Sequence, residues 1–335
     1  MRVLLDHPNP FLLAHGGFQI QIEQIFRALK DTGTDVDFLR WWDDTQSADV
    51  IHYFGRPPLA YLSAAHKKGI KVVLNQLLTG LGSRKPLVIQ AEKAVINLGR
   101  SLLPGMISAR FAWDSFRHSD ACIANTEWEA QLMRQVFGAS PENVHVVPNG
   151  VEEVFLQSSA ASRGSWLICT ATITERKRVL ELAQAAVQAR TPLWIIGKPY
   201  ASSDPYAEEC SRFLATNKDL LRFEGAISDR AQLAKAYREA RGFVLLSTME
   251  TRSLAAEEAA ACECPLLLSD LPWARSVFGS HAAYCPITSP ARSAGYLRAF
   301  YDGAPAMKPA PKPLSWPEVG RQFAAVYAGL SRTSR

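Results

Sequence analysis

The sequence is poor in most of the features that mark a protein class at first sight. No cysteine precedes Cys122, and the six present (Cys122, Cys169, Cys210, Cys262, Cys264 and Cys285) sit mostly in apolar runs, which excludes a disulfide scaffold and fits reduced, buried thiols. Cys262 and Cys264 form a C-x-C with no second ligand pair nearby, so no zinc site is expected. No apolar run approaches the roughly 20 residues that cross a bilayer. The opening Met1–Asp6 meets an acid and then Pro8 too early for a signal peptide, and a cytoplasmic protein is expected. Charge of one sign is scarce as well: 37 Lys and Arg against 32 Asp and Glu leave a net +5, too little to argue for a nucleic-acid partner. A P-loop, H-E-x-x-H, G-x-S-x-G and G-x-G-x-x-G are all missing, which argues against nucleoside triphosphatases, metalloproteases, serine hydrolases and nicotinamide dehydrogenases.

What is present is ample core. With 335 residues, 47% of them apolar, the chain is long enough for about two globular domains. Short apolar runs (RVLLD, DVDFLR, DVIHYF, KVVLN, ACIAN, VHVVP) alternate with helical patterns, the first carrying Phe18, Ile22, Ile25, Phe26 and Leu29 on one face. That rhythm predicts an α/β chain with a doubly wound parallel sheet. Thr126 followed by Glu129 makes a capping box before the helix that carries Leu132 and Val136. The small polar stretch QSSAASRGS then reads as a linker. A second winding follows in WLICT, LWIIG, LLRFEG, GFVLLS and PLLLS. The expected division is 1–156 and 164–308, with a last helix over 314–332 that must dock and for which the first domain offers a place. The basic surplus lies wholly in the second half: 15 basic and 16 acidic residues through Leu156, 22 and 16 after it. A polyanionic ligand fits there.

The most informative segment is GFVLLSTMETRSLAAEEAAACECPLLLSD, a buried strand, a polar turn, an alanine-rich helix and another strand. Glu250 and Glu258 stand eight apart, and with Pro265 behind them this resembles the E-x7-E signature of retaining GT-B glycosyltransferases, family 4 in particular. Gly16-Gly17 before the first long helix, Val147-Pro148-Asn149-Gly150-Val151-Glu152, Lys177 after WLICT, Phe223-Glu224-Gly225 and the Ser315-Trp316 helix fall in the order that family shows. The resemblance covers nearly the whole chain.

It implies two facing Rossmann-like domains, an acceptor domain at 1–156 and a nucleotide-sugar donor domain at 164–308. It also implies transfer of a sugar from a nucleoside diphosphate sugar, of uridine or guanosine type, to a hydroxyl of a saccharide or lipid-linked acceptor in cell-surface polysaccharide or glycolipid synthesis. Glu250 and Lys177 take the catalytic roles: Glu250 binds hydroxyls of the donor sugar, Lys177 the departing diphosphate. Glu258 accepts hydrogen bonds from the ribose. Gly16, Gly17, Thr172, Gly225, Arg252, Ser253, Leu254 and Ala255 complete the donor site, the last three because unpaired amides at a helix start attract phosphate. His15, Asn75 and Gln76 are the acceptor candidates. No cofactor is required, and no metal is expected; the D-x-D at Asp35–Asp37 begins a strand, the wrong place for a metal pair.

The sequence departs from the family at four places. Thr172 replaces the usual arginine five residues before the lysine, Arg252-Ser253 replaces a phenylalanine-glycine, Glu263 stands where a glycine is common, and Asn75-Gln76 stands where many relatives have a histidine. Arg252 is a candidate to compensate for Thr172, with Arg176, Arg178 and Lys198 as rivals. These departures keep open a catalytically silent GT-B scaffold that binds a saccharide or a partner glycosyltransferase; the nearest enzyme alternative is a GT-B sugar-nucleotide epimerase, whose expected histidine and acid pattern is missing. Finally, the stretch 84–117 holds six basic residues against two acidic ones, interleaved with large apolar residues. It reads as ordinary amphipathic helices packed on the sheet, as a peripheral contact with the inner face of a membrane, or as a cradle for a long acceptor.

Overall fold

A computed structural model describes residues 1–8, 11–12, 17–102, 111–158, 162–201 and 203–332. The chain divides into two compact units, Met1–Gly150 with Trp316–Arg335, and Val151–Ser315. The first break therefore falls at Gly150 and not after Leu156. Val151 and Phe155 are fully buried in the second unit's core, and the Val151 N–H donates to Leu314 O, so the residues that follow Gly150 serve the second unit. The polar stretch after Leu156 is not the junction: Gly164 N–H donates to Glu239 O, and Arg163 donates to the carbonyls of Tyr237, Arg238, Ala240, Cys262 and Glu263, all within that unit.

The first unit is a six-stranded parallel sheet in the order β2-β1-β3-β4-β5-β6, with β1 at Arg2–Asp6, β2 at Asp35–Phe38, β3 at Val50–Phe54, β4 at Lys71–Asn75, β5 at Ala121–Ala124 and β6 at Val144–Val146. Strands buried on both faces are near-continuous apolar runs, as in Val72-Val73-Leu74. The Thr126 hydroxyl caps its helix by accepting from Glu129 N. Glu129 itself is buried and accepts from Asn125 N and Leu78 N, so the cap also ties down the loop after β4. The helix Trp316–Arg332 packs on the helix Gly17–Asp31. Gly320 permits that approach: a Cβ there would stand 2.6 Å from Ala28 O. Phe323 and Tyr327 of the same helix cover His52 of β3, whose Nδ1 lies 2.7 Å from the Tyr327 hydroxyl.

The second unit has the order β12-β11-β10-β7-β8-β9, with β7 at Leu167–Thr170, β8 at Leu193–Ile196, β9 at Leu221–Glu224, β10 at Gly242–Leu245, β11 at Leu266–Ser269 and β12 at Ala283–Cys285. Five of these strands match the apolar runs; β12, three residues long, was not foreseen. In each sheet the strand order reverses direction once, between β1 and β3 in the first and between β7 and β10 in the second. A crevice opens beyond the carboxyl ends of the strands at such a switch point, and ligands of doubly wound sheets bind there.

Candidate active site

The switch point of the second unit carries a compact set of ion pairs. The loop after β7 runs into a single turn, Glu175–Lys177, and the loop after β10 ends at Ser253, the N-cap of the helix Leu254–Ala261. The two loops are stitched together by backbone: Thr248 N–H donates to Arg176 O at 2.8 Å. Side chains follow the same path. Lys177 Nζ is paired with Glu250 Oε1, and Arg176 Nη1 lies 3.1 Å from the same oxygen and 2.6 Å from Met249 O. Glu250 is buried and Lys177 nearly so, which strengthens their attraction over that of a surface pair.

A second cluster lies on the helix Leu254–Ala261. The Arg230 guanidinium bridges two carboxylates, Glu258 Oε1 and Glu152 Oε1, the latter at 2.7 Å from its Nε. The Tyr237 hydroxyl, 3.3 Å from Glu258 Oε2, also shares a hydrogen bond with the Thr170 hydroxyl. Burial pushes the Glu258 carboxyl above the usual carboxylate range, with Arg230 pulling against it. The same burial works against Arg230, but Glu258 and Glu152 outweigh it and hold the guanidinium above its ordinary value. Buried Tyr237 is pushed well above the usual phenol range.

Glu257, next to Glu258, is buried too, and burial raises its carboxyl despite Arg252, whose Nε stands 2.8 Å from Glu257 Oε1. The guanidinium expected to serve a phosphate is therefore engaged by Glu257. Ser253 caps the helix by accepting from Ala256 N at 3.4 Å, while Leu254 and Ala255 in the first turn are half-buried. Thr172 is half-buried in the loop after β7, and Gly225 is exposed after β9. Of the rival cations, Arg178 is buried and donates to Thr288 O, so it faces the protein interior.

The structure thus brings Lys177, Glu250, Arg252, Ser253 and Glu258 onto one rim. Sequence reasoning did not find Arg230, Glu152, Tyr237 or Thr170 around Glu258. A helix reading LAAEEAAA has no polar face to turn outward, and that is the signal in the sequence for the burial of Glu257.

In the first unit, His15 and Gly16 lie outside the described residues, and Gly17 opens the helix Gly17–Asp31. Asn75, at the carboxyl end of β4, is buried and its Nδ2 has no hydrogen-bond partner among the described residues. Gln76 is half-buried, its amide donating to Leu77 O. Within the stretch 84–117, residues 103–110 lie outside the described residues. The helix Pro86–Leu102 exposes Leu87, Val95, Leu98 and Leu102, whose spacing puts them on one face; Lys85, just before the helix, is exposed too, and exposed Lys93 lies on another face. Arg100 instead turns inward to Asp114 and to the carbonyls of Trp113 and Phe137. Among the described residues no helix is long and apolar enough to cross a membrane, and no group of three or more His, Cys, Asp or Glu stands where it could hold a metal ion.

Comparison with known proteins places the chain by family and fold. Residues 20–154 match the model of the glycosyltransferase family 4 domain, and residues 164–301 match the model of the glycosyl transferases group 1. No curated protein matches in sequence. Among solved structures, sucrose-phosphate synthase from Thermosynechococcus elongatus is similar with a TM-score of 0.71 and 16% identity, covering 100% of both chains. HepE from Anabaena, solved in complex with UDP, gives 0.64 at 14% identity over 98% of this chain and 100% of that one. A glycosyltransferase from Rickettsia africae gives 0.66 at 11% identity over 99% of each. At such identities the structural likeness is one of fold. With both halves matched by glycosyltransferase family models and two parallel sheets of this order, the chain belongs to the family 4-like glycosyltransferases of the GT-B fold.

Proposed function

We propose that the protein moves a sugar from a nucleoside diphosphate sugar to a hydroxyl of a saccharide or lipid-linked acceptor, with retention of anomeric configuration, in cell-surface polysaccharide or glycolipid synthesis. The observation that carries this reading is the bracket of Lys177, Arg176 and Glu250, drawn from two loops at the switch point of the second sheet. A carboxylate flanked by two cations suits a ligand that presents hydroxyls and a diphosphate side by side. HepE from Anabaena, solved with UDP and with UDP-glucose, supports a uridine-type donor.

In this reaction the bond from the anomeric carbon to the diphosphate oxygen breaks while the acceptor oxygen bonds to the same face of that carbon. The acceptor's proton passes to the departing phosphate oxygen, so no histidine base is needed and the two substrates balance the step. Lys177 and Arg176 stabilise the charge that develops on the diphosphate; Glu250 orients the sugar; Glu258 takes the ribose hydroxyls. The amides of Ser253, Leu254 and Ala255 add the positive end of the helix.

The test is release of UDP or GDP from their sugar conjugates against an acceptor panel, together with thermal shift by the same nucleotides. A nucleotide-selective shift abolished by Glu258→Ala, with donor turnover, is the expected result. Binding without turnover would favour a silent scaffold, a reading that the engagement of Arg252 by Glu257 and the absence of an arginine at Thr172 motivate.

The exposed stripe of the helix Pro86–Leu102 supports a peripheral contact with an anionic membrane surface. Leu87, Val95, Leu98 and Leu102 would enter the acyl boundary while Lys85, just before the helix, meets lipid phosphates. Cosedimentation with phosphatidylglycerol vesicles at low salt, weakened by Leu98→Glu, is expected; no binding at low salt overturns it.

A further inference from the structure

Beyond β2 the chain makes a tight turn whose two central residues are tryptophans. Asp43 N–H donates to Arg40 O at 3.0 Å, which closes the turn over Trp41 and Trp42. Trp41 is 71% and Trp42 84% exposed. An indole holds 150–250 Å² of largely apolar surface, so leaving two of them in water forgoes a large part of the stabilisation their burial would give. Exposed aromatic surface of this kind marks a binding site more often than chance.

The turn is braced along its backbone, and one of its two rings is fixed. Arg40 donates through Nε and Nη2 to Asp43 Oδ2 at 3.0 and 2.8 Å, and through Nη1 to Asp37 Oδ2 at 2.8 Å. Its own N–H is held by Gln46 Oε1 at 2.7 Å, and Thr45 donates twice to Asp43 Oδ1. Trp41, though exposed, is pinned: its Nε1 donates to Asp6 Oδ1 at 3.0 Å. Asp6 is only 2% exposed, ends β1, and accepts from the Tyr61 hydroxyl with its other oxygen at 2.6 Å. The turn follows β2, and Asp6 stands at the switch point between β1 and β3, the position where ligands of such sheets bind.

From this geometry we infer that the turn at Trp41-Trp42 is a docking platform for a pyranose ring of the acceptor. The flat apolar face of an indole matches the C–H face of a pyranose, and a pre-fixed ring loses little entropy on binding. Carboxylates beside the rings accept hydrogen bonds from hydroxyls and repel phosphates, so the platform suits an uncharged saccharide and opposes a nucleotide. Asp43 is held below the usual carboxylate range by Thr45 and Arg40, which keeps its charge in place. This assignment rests on the glycosyl-transfer reading above for the word acceptor, but not for the binding of sugar itself.

The test separates the two. The full chain is labelled with fluorotryptophan, and the fluorine resonances of Trp41 and Trp42 are identified with the variants W41F and W42F. Titration with maltotriose, cellotriose and mannotriose is expected to move these two resonances and leave the other indoles in place. Stillness of both with every trisaccharide, in protein that UDP or GDP stabilises thermally, overturns the platform and leaves glycosyl transfer standing. Movement in protein that binds and turns over no nucleotide sugar keeps the platform and removes the transfer reading. In kinetics, W42A is expected to raise the acceptor KM about tenfold or more while kcat and donor KM stay within about twofold. An equal fall of kcat with unchanged acceptor KM would also overturn it. Because Trp42 is the exposed tip, an unchanged urea midpoint checks that the fold is intact.

Discussion

The two sheets are built alike, six parallel strands with one reversal of order, yet their carboxyl-end rims carry opposite chemistry. The second rim is a set of largely buried ion pairs: Lys177 with Glu250, Arg230 with Glu258, Arg252 with Glu257. The first carries aromatic rings and amides, Trp41, Trp42, Tyr61, Asn75 and Gln76, with Asp6 buried under hydrogen bonds from Trp41 and Tyr61. The fold decides where a ligand meets the sheet, and the loop residues decide what it can be. Fixed charges answer a charged diphosphate; stacking faces and neutral donors answer an uncharged ring. The buried titratable groups differ in the same way. Burial favours the protonated carboxyls of Glu257 and Glu258 in the second unit, whereas in the first it keeps the His52 ring neutral by pushing its pKa down to about 3.

The sharpest way to break this contrast is to remove charge from the charged rim. Lys177→Ala is expected to lower kcat/KM for donor turnover by about 10²–10³-fold, the scale of losing one preorganised stabiliser of a developing anion. An effect below tenfold in nucleoside diphosphate release would detach Lys177 from the chemistry.

Backbone crowding comes next. A Cβ at Gly197 would stand 1.9 Å from Ala171 O, against the loop that leads to Lys177, and one at Gly320 would stand 2.6 Å from Ala28 O. Gly197→Ala is expected to cost more than about 3 kcal/mol and Gly320→Ala about 1–3 kcal/mol, read from urea unfolding. Equal costs would contradict the order of these approaches. Arg230→Ala should destabilise by about 1–3 kcal/mol, because it leaves Glu258 without its cation, and should raise the Glu258 pKa further. Carbon NMR of the Glu258 carboxyl measures both the direction and the size.

The smallest effects are in pH dependence, where the two units should move in opposite directions. Between about pH 6.5 and 3 the unfolded chain binds a proton at His52 that the folded chain refuses, so this group makes the first unit less stable as pH falls. Glu257 and Glu258 bind protons more readily folded than unfolded. Their stabilising share is complete below the ordinary carboxylate pKa and is lost as pH rises through their raised values. Hydrogen exchange of amides in β3 and in β11, followed against pH, resolves the units separately. His52→Asn, which keeps a polar atom near Tyr327, should flatten the first slope, and Glu257→Gln the second.

Much of the fold was legible because strands buried on both faces leave near-continuous apolar runs, and because Thr126 with Glu129 announces a helix start before Leu132 and Val136. Strand β12 was not, since Ala283–Cys285 is too short to stand out from its neighbours. The break at Gly150 was hidden because Val151 and Phe155 look like any strand-to-helix connection until the core that buries them is known. In the site, Glu250, Glu258 and Lys177 were visible through motif order. Arg230 was not: it lies 28 residues from Glu258 and 78 from Glu152, and no local pattern encodes that meeting.

By itself the sequence determined the two windings of strand and helix, the positions of the glutamates on either side of one helix start, and the family, because periodicity and motif spacing are local properties of a chain. Only the tertiary structure decided which charges pair, that Arg252 turns to Glu257, that Glu257 is buried, and that Trp41 and Trp42 face water while Asp6 beneath them does not. Those outcomes depend on desolvation and on contacts between residues far apart in the chain, and both arise only once the sheets have closed around their cores.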